Sequence, residues 1–157
     1  MSSHSPDQSR YFTGYNSGPG LSSVGSYQIA GTPYLSSSIL AAGTQIEFTL
    51  PAVSKRIYIE NYSGTPDTAL VLSFRDPTDT GVATLGHTYT INSTGDISAA
   101  GGVGNNYIDL GVKCNSFFLS ASAGAGSDPV TYSVVAELTG IAPSRMFVLS
   151  GSGINNV

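Results

Sequence analysis

Side chains that could act as a general base beside a nucleophile are few in this chain of 157 residues, although serines are many. Its only histidines are His4, near the start, and His87. Nucleophilic hydrolysis needs a base held beside its nucleophile, and no G-x-S-x-G sequence surrounds any serine. We therefore interpret His87 as a hydrogen-bonded strand residue, and we predict no catalytic residue and no enzymatic activity.

The acidic side chains are too scattered to indicate a site. Three glutamates fall inside predicted strands, each at an outward position: Glu47, Glu60 and Glu137. A carboxylate pair for glycoside chemistry would need two acids in one cleft, so we interpret these as solvated faces or interface contacts. Asp76 and Asp79 could supply oxygen ligands to calcium. Because Asp beside Pro or Gly is ordinary turn chemistry, we predict no bound metal.

Other short motifs also point to no site. Cys114 is the only cysteine, which excludes an intrachain disulfide and a C-x-x-C site, and we interpret it as a buried apolar residue. Neither Gly18-Pro19-Gly20 nor Gly102-Val103-Gly104 continues into the dinucleotide-binding pattern, so we predict no cofactor. Two N-x-[ST] sequons begin at Asn61 and Asn92, in predicted loops where a glycan would fit. A chain so rich in Ser and Thr is expected to hold a couple of sequons by chance.

Composition restricts the class of protein. Charged residues make up 10% of the chain, well below the roughly 25% of typical soluble domains. The surface is therefore either kept soluble by hydroxyls and amides or covered by neighbouring subunits, and we favour the second. A net charge of -4 with 6 Lys and Arg argues against direct nucleic-acid binding. We also expect no membrane span and, from Met1–Arg10, no signal peptide.

Apolar and polar residues alternate from Gly25 onward, which is typical of strands with one face in the core. The predicted inward sets are Ile46/Phe48/Leu50, Ile57/Ile59, Leu70/Leu72/Phe74, His87/Tyr89/Ile91, Ile108/Leu110/Val112/Cys114, Phe117/Leu119/Ala121 and Val130/Tyr132/Val134/Ala136/Leu138. Weaker strands are predicted at Ser26–Ala30, Tyr34–Leu40 and Met146–Leu149, and a loop without regular structure at Asn92–Gly104. This pattern predicts an all-β fold, an antiparallel β-sandwich built as a single jelly roll of about eight strands.

The ends of the chain are polar and rich in Gly and Ser. We predict three regions: a flexible N-terminal arm at 1–20, the jelly-roll sandwich at 21–141, and a C-terminal strand and tail at 142–157. Tyr11, Phe12 and Tyr15 give the arm an aromatic cluster. These rings either dock on a neighbouring protein or fold back on their own domain.

Several stretches resemble one family of proteins. They are Tyr11-Phe12, Val24-Gly25-Ser26-Tyr27-Gln28, Gly31-Thr32-Pro33-Tyr34, Ile46 to Val53 leading into Arg56-Ile57-Tyr58-Ile59, Ala136 to Ile141, and Ser144 to Gly153. Together they are similar to the small single jelly-roll capsid proteins of large icosahedral double-stranded DNA viruses of algae and related protists. The likeness covers most of the chain beyond residue 10, but 78–104 matches nothing in that pattern.

The resemblance implies a viral capsid structural protein, most simply a penton-type vertex protein assembled as a homopentamer. It also allows a minor capsid role beneath or between the major capsomers. The implied location is the virion, and the implied partners are other copies of the chain and the major and minor capsid proteins. We expect the arm and the tail to reach those neighbours. The candidate assembly contacts are Arg10, Tyr11, Phe12, Tyr15, Arg145 and Phe147.

Two other functions fit the same pattern. A carbohydrate- or receptor-binding sandwich usually shows exposed aromatic side chains, and Tyr58, Tyr62 and Tyr107 could serve although Trp is absent. A surface glycan is therefore a further candidate partner. A phage head decoration or fibre-tip protein would share the oligomeric β architecture. The number of copies in a ring separates decoration from a fivefold vertex.

Overall fold

A computed structural model describes residues 33–78, 88–98, 104–122 and 128–146. Within these ranges the strands are β1 (Tyr34–Leu40), β2 (Gln45–Thr49), β3 (Ser54–Asn61), β4 (Leu70–Ser73), β5 (Tyr89–Ile91), β6 (Tyr107–Leu110), β7 (Ser116–Ala121) and β8 (Val130–Leu138). A short helix, α1 (Thr94–Ser98), lies between β5 and β6, and a 3₁₀ turn (Pro143–Arg145) follows β8. Over the same ranges, no helix has the length and apolar character that crossing a membrane requires.

The eight strands form two antiparallel sheets of four strands each, in the orders β1-β8-β3-β6 and β2-β7-β4-β5. The predicted antiparallel β-sandwich is therefore confirmed. The pairing is nested: β1 pairs with β8, β2 with β7, β3 with β6, and β4 with β5. Successive strands along the chain alternate between the sheets as far as β4, so one long antiparallel hairpin is folded over into two layers. This nested order is the one that an eight-strand jelly roll would give.

The core lies between the two sheets and follows the predicted alternation most closely in β8 and β3. All five predicted inward residues of β8, from Val130 to Leu138, are buried, as are Ile57 and Ile59 of β3. Each sheet therefore hides its apolar face against the other, and neither face needs a covering helix.

One buried aromatic ring, that of Phe48, contacts rings of both sheets. Phe48 of β2 stacks on Phe117 of β7 with ring centroids 4.9 Å apart. Its ring also makes edge contacts with Tyr132 of β8, at 5.9 Å, and with Tyr34 of β1, at 6.5 Å. Phe48 thus contacts rings from both layers.

Some predicted inward positions proved to be exposed because they lie near sheet edges. Tyr89 shares a strand face with buried Ile91, but β5 is an edge strand and the Tyr89 side chain is 45% exposed. Ile46, on edge strand β2, is 36% exposed. Phe118 shows the reverse, because it lies on the other face of central strand β7 and is nevertheless buried. Alternation predicts which face a residue occupies but not how well that face is covered.

The prediction of no regular structure across Asn92–Gly104 was wrong at Thr94–Ser98. Ser93 begins α1 with a reciprocal cap: its Oγ accepts the amide of Asp96 (3.0 Å) and donates to Asp96 Oδ2 (2.8 Å). Gly95 fits here because a Cβ atom on it would lie 2.4 Å from the carbonyl oxygen of Gly64. The Ser-x-x-Asp spacing is a variant of the capping box. That local signal outweighs the nearby glycines.

Replacing Asp96 with asparagine is expected to lower the free energy of unfolding at pH 7 by about 1 kcal/mol. Hydrogen bonds from the Asp67 amide and the Ser93 hydroxyl lower the pKa of the Asp96 carboxyl below its ordinary value of 3.8. A carboxyl group whose pKa is lower in the folded than in the unfolded state stabilises the fold at pH above its unfolded-state pKa. This stabilisation is lost as the pH falls through the folded-state pKa. The difference between Asp96→Asn and the parent protein should therefore shrink below about pH 4.

Denaturant unfolding from pH 7 to pH 3 measures this difference. Ser98→Ala, at the exposed end of α1, is the control and should stay within about 0.5 kcal/mol of the parent. An Asp96→Asn deficit that is the same at pH 3 and pH 7 would contradict the capping role of the carboxylate.

Several sequence predictions lie outside the described residues. These are the strand at Ser26–Ala30, His87, the whole N-terminal arm at 1–20, and the part of the C-terminal region beyond residue 146. Of the strand predicted at Met146–Leu149, Met146 alone is described, and it follows the 3₁₀ turn without belonging to a strand.

Candidate binding surface

Tyrosine side chains gather on the outer face of the β1-β8-β3-β6 sheet. Alternation in β3 turns Tyr58 and Glu60 away from the core. The register places Tyr107 of β6 opposite Glu60 on one side and Ser133 of β8 opposite it on the other. Tyr62, just beyond the end of β3, lies next to Ser133. We call Tyr58, Glu60, Tyr62 and Tyr107 the tyrosine patch.

Direct contacts organise the tyrosine patch around the Glu60 carboxylate. The rings of Tyr58 and Tyr107 stack with centroids 5.7 Å apart and planes inclined by 25°. The Tyr58 hydroxyl donates to Glu60 Oε2 (3.0 Å), and Asn106 Nδ2 donates to Glu60 Oε1 (3.2 Å). Tyr62 and Tyr107 remain 50% and 45% exposed. The patch therefore combines accessible aromatic surface with a fixed carboxylate.

The Tyr58 hydroxyl stays a hydrogen-bond donor across the working pH range. Partial burial of the phenol, followed by its bond to the Glu60 carboxylate, raises the pKa of Tyr58 to about 12. Both effects disfavour a negative charge on the phenol beside an existing carboxylate. The proton therefore stays on Tyr58, and Glu60 stays the acceptor.

An exposed ion pair borders the tyrosine patch. Arg56 Nε lies 2.6 Å from Asp109 Oδ1, and Arg56 Nη2 contacts the second carboxylate oxygen. The pair lowers the pKa of Asp109 and raises that of Arg56. Solvent screening keeps its contribution to stability small. Because the Arg56 guanidinium is already paired with Asp109, a ligand would have to compete with that carboxylate to bind it.

The β1–β8 half of the same outer face has a different character. Among the strands that the structure describes, β1 is one of the two edge strands of this sheet, and two of its outward residues, Leu35 and Ile39, are 66% and 64% exposed. Leu35 lies opposite Val135 of β8, and Ile39 lies opposite Thr131. A shallow depression of about 260 Å³ runs between the two strands beside Leu35. No charged residue occurs within β1 or Val130–Val135. We call Leu35 and Ile39 the edge pair.

Of the groups considered for metal or nucleophilic chemistry, Asp76 and Cys114 are described by the structure, and both are engaged in local structure. In the part of the chain that the structure describes, no cluster of three or more potential metal ligands occurs. The Asp76 carboxylate accepts bonds from the Thr78 amide and hydroxyl and from Gln45. Asp79 lies outside the described residues.

The expectation that Cys114 is buried is confirmed. Its Sγ lies 3.2 Å from Ser54 Oγ. Burial raises the pKa of the Cys114 thiol, which keeps it in the less nucleophilic protonated form.

The asparagine of the first sequon, Asn61, is buried and holds neighbouring backbone groups. Asn61 is the last residue of β3 and is fully buried, so the prediction of a loop with room for a glycan was wrong there. Its Nδ2 donates to the carbonyl oxygens of Thr68 (2.7 Å) and Ile91 (3.2 Å), and its Oδ1 accepts the Ser63 amide (3.0 Å). At the second sequon, Asn92 lies just beyond β5 and is half-buried.

Of the predicted assembly contacts, Arg145 alone is described, and it lies exposed at the end of the 3₁₀ turn. Arg10, Tyr11, Phe12, Tyr15 and Phe147 lie outside the described residues. The structure does bring together Tyr58, Tyr62 and Tyr107, which the sequence offered as separate aromatic residues. Sequence reasoning missed the central position of Glu60 and the exposure of the edge pair. The alternation of β3 indicated that Glu60 faces outward, but which residues lie beside it depends on strand pairing, which the sequence does not show.

No protein-family model and no curated protein matches the chain, so these comparisons assign no role to the residues of either surface. The function must therefore be argued from the strand arrangement and from the two surfaces just described.

Proposed function

We propose that this protein is a structural subunit of an icosahedral viral capsid, of the penton type, in which five copies close into a ring. The sequence resemblance to small capsid proteins supports this role. The nested strand order supports it too, because single jelly rolls are a common architecture of capsid subunits. In this role the partners are further copies of the chain and the adjoining major and minor capsid proteins, and the location is the virion. No catalytic centre is required.

The single observation that carries the proposal is the edge pair. An edge strand presents unpaired backbone groups, and soluble proteins usually protect such edges with charges, proline or a covering segment. In the part of the chain that the structure describes, β1 instead carries two large, exposed apolar side chains and no charge or proline. Burying Leu35 and Ile39 against another chain would stabilise the contact by about 25 cal/mol for each Å² of apolar surface removed from water.

A second copy of the same chain is the occupant that we propose for this surface. A closed ring requires heterologous contacts, in which one patch of each copy meets a different patch of the next. A surface of Leu, Ile, Ser, Thr and Val suits such a contact, because hydroxyls cost less to desolvate than ions. The edge pair would then be covered in every copy of the ring, with none left over.

The test is the native mass of the purified protein across a concentration series. We expect a pentamer, and we expect the double variant Leu35→Glu/Ile39→Glu to raise the dissociation constant of the oligomer at least tenfold, since two carboxylates would have to be buried. Thr90→Glu is the matched control, because it adds a carboxylate at an exposed position of β5, an edge strand of the other sheet. It should leave the mass unchanged.

Two outcomes would count against the proposal. A protein that stays monomeric at high concentration would remove the basis for a ring. A stable trimer would favour a decoration or fibre-tip role over a fivefold vertex. Circular dichroism of both variants separates a lost interface from a lost fold.

A further inference from the structure

The tyrosine patch has a composition that the proposed ring contact does not explain. It lies mainly on the β3–β6 half of the sheet, next to the β1–β8 half that carries the edge pair, and it combines exposed rings with a carboxylate already fixed by two donors. We infer that the tyrosine patch is a binding site for an uncharged saccharide, with Tyr62 and Tyr107 contacting sugar rings and Glu60 accepting sugar hydroxyls. This site does not depend on the capsid role.

Exposed aromatic rings supply the apolar part of the site. The C–H faces of a sugar ring pack on aromatic faces, and tyrosine offers such a face with only two side-chain torsions to restrict. Tyr107 is held by its stack on Tyr58, and the Tyr62 hydroxyl lies 3.4 Å from Ser133 Oγ. Little side-chain freedom of Tyr107 would therefore be lost when a ligand binds.

Glu60 supplies the polar part. An ionised carboxylate can accept about four hydrogen bonds, and two are made by Tyr58 and Asn106, one to each oxygen. Each oxygen keeps a free lone pair. Two neighbouring sugar hydroxyls could donate to these positions, and bonds to an ionised acceptor are stronger than neutral ones.

Local charge favours an uncharged ligand over an anionic one. The outer face around the patch carries the carboxylates of Glu60, Asp109 and Glu137, whereas its cation, Arg56, is already paired with Asp109. Sialylated and sulfated glycans would be repelled. A quaternary ammonium ligand would need rings arranged as a cage, but Tyr58 and Tyr107 are inclined by only 25° and form a stack.

The patch continues into a shallow depression. This depression, of about 260 Å³, is lined by Arg56, Tyr58, Asp109, Val135 and Glu137. From Arg56 to Tyr62 the surface extends about 20 Å along the β3 direction. That length exceeds one sugar ring, so we expect an oligosaccharide to bind more tightly than a monosaccharide.

The experiment uses the full chain on an array of immobilised oligosaccharides that includes neutral hexose oligomers, sialylated glycans and sulfated glycans. Calorimetric titration with the neutral oligomer that gives the strongest signal then provides the affinity. Tyr107→Ala and Glu60→Gln should each weaken binding about tenfold, while Tyr107→Phe should keep most of it. Tyr89→Ala is the matched control, because Tyr89 is equally exposed but lies on β5 in the other sheet.

The result that supports the site is saturable binding of a neutral oligosaccharide that Tyr107→Ala weakens and Tyr89→Ala does not. The site is ruled out if no glycan on the array binds, if anionic glycans bind best, or if choline competes with the sugar. It is also ruled out if Tyr107→Ala changes the native mass without changing sugar binding, since the patch would then be an interface between copies. Thermal unfolding of each variant checks that the fold is kept, and Tyr62→Ala provides a second test if Tyr107→Ala unfolds.

Discussion

Replacing Phe48 with alanine is expected to lower the free energy of unfolding by about 3–5 kcal/mol, the usual cost of removing a buried phenylalanine ring. The ring is almost fully buried and contacts Phe117, Tyr132 and Tyr34. Alanine would leave a cavity between the two sheets and remove every one of these ring contacts. Because the Phe48 ring contacts both sheets, the cavity would open between them, and a shift of one sheet alone could not restore the lost contacts.

Denaturant unfolding of the parent and the variant measures this effect. Ile46→Ala is the matched control, because it removes an apolar side chain two residues away on the same strand, where the side chain is partly exposed. It should cost about 1 kcal/mol or less. Equal losses in the two variants would show that the buried ring contacts of Phe48 add nothing to the stability of the fold.

A double-mutant cycle tests the stacked pair directly. Phe48→Ala and Phe117→Ala together should cost less than the sum of the single losses, with a coupling energy of about 0.5–1.5 kcal/mol. Additive losses would mean that the 4.9 Å stack contributes no more than its buried area.

The sandwich was predictable because strand alternation is a local signal. The five buried residues of β8 stand at every second position, and a strand leaves them no other face to occupy. Tyr89 was not predictable in the same way, since its exposure depends on β5 lying at the end of the sheet order. That order results from pairings between distant strands. The short helix was a different kind of error, because the Ser93–Asp96 cap could have been recognised in the sequence.

For the tyrosine patch, too, strand alternation was predictable and the pairing of distant strands was not. Alternation alone placed Tyr58 and Glu60 on one outward face. Tyr107 comes to lie beside them because β6 pairs with β3 in a register that joins Glu60 to Tyr107, 47 positions later in the chain. No local pattern carries that register, so the sequence offered three tyrosines without the carboxylate between them.

Asn61 connects the core to the tyrosine patch. It stands between Glu60 and Tyr62 and points inward where they point outward. By holding the carbonyls of Thr68 and Ile91, its side chain fixes the end of β3 against the segments entering β4 and leaving β5. The outward direction of Glu60 and Tyr62 is therefore set from inside the sandwich.

Replacing Asn61 with aspartate is accordingly expected to lower the free energy of unfolding at pH 7 by about 3–4 kcal/mol. The shape of the side chain is kept, but a carboxylate cannot donate to the two carbonyl oxygens, and it would be buried without a cation. Such burial raises the pKa of a carboxyl group, so the protonated form fits the site better. A carboxyl group whose pKa is raised on folding destabilises the fold least at pH below its unfolded-state pKa, and the fold loses stability as the pH rises through the folded-state pKa.

The deficit of Asn61→Asp should therefore be smaller at pH 4 than at pH 7, the opposite direction to Asp96→Asn. Denaturant unfolding at the two pH values measures it, and Asn105→Asp, at an exposed position before β6, is the control expected to stay within about 0.5 kcal/mol of the parent. If Asn61→Asp were as stable as Asn105→Asp, the inward amide would not be holding β3. The alignment of Glu60 between Tyr58 and Tyr62 would then have to come from the β3–β6 pairing alone.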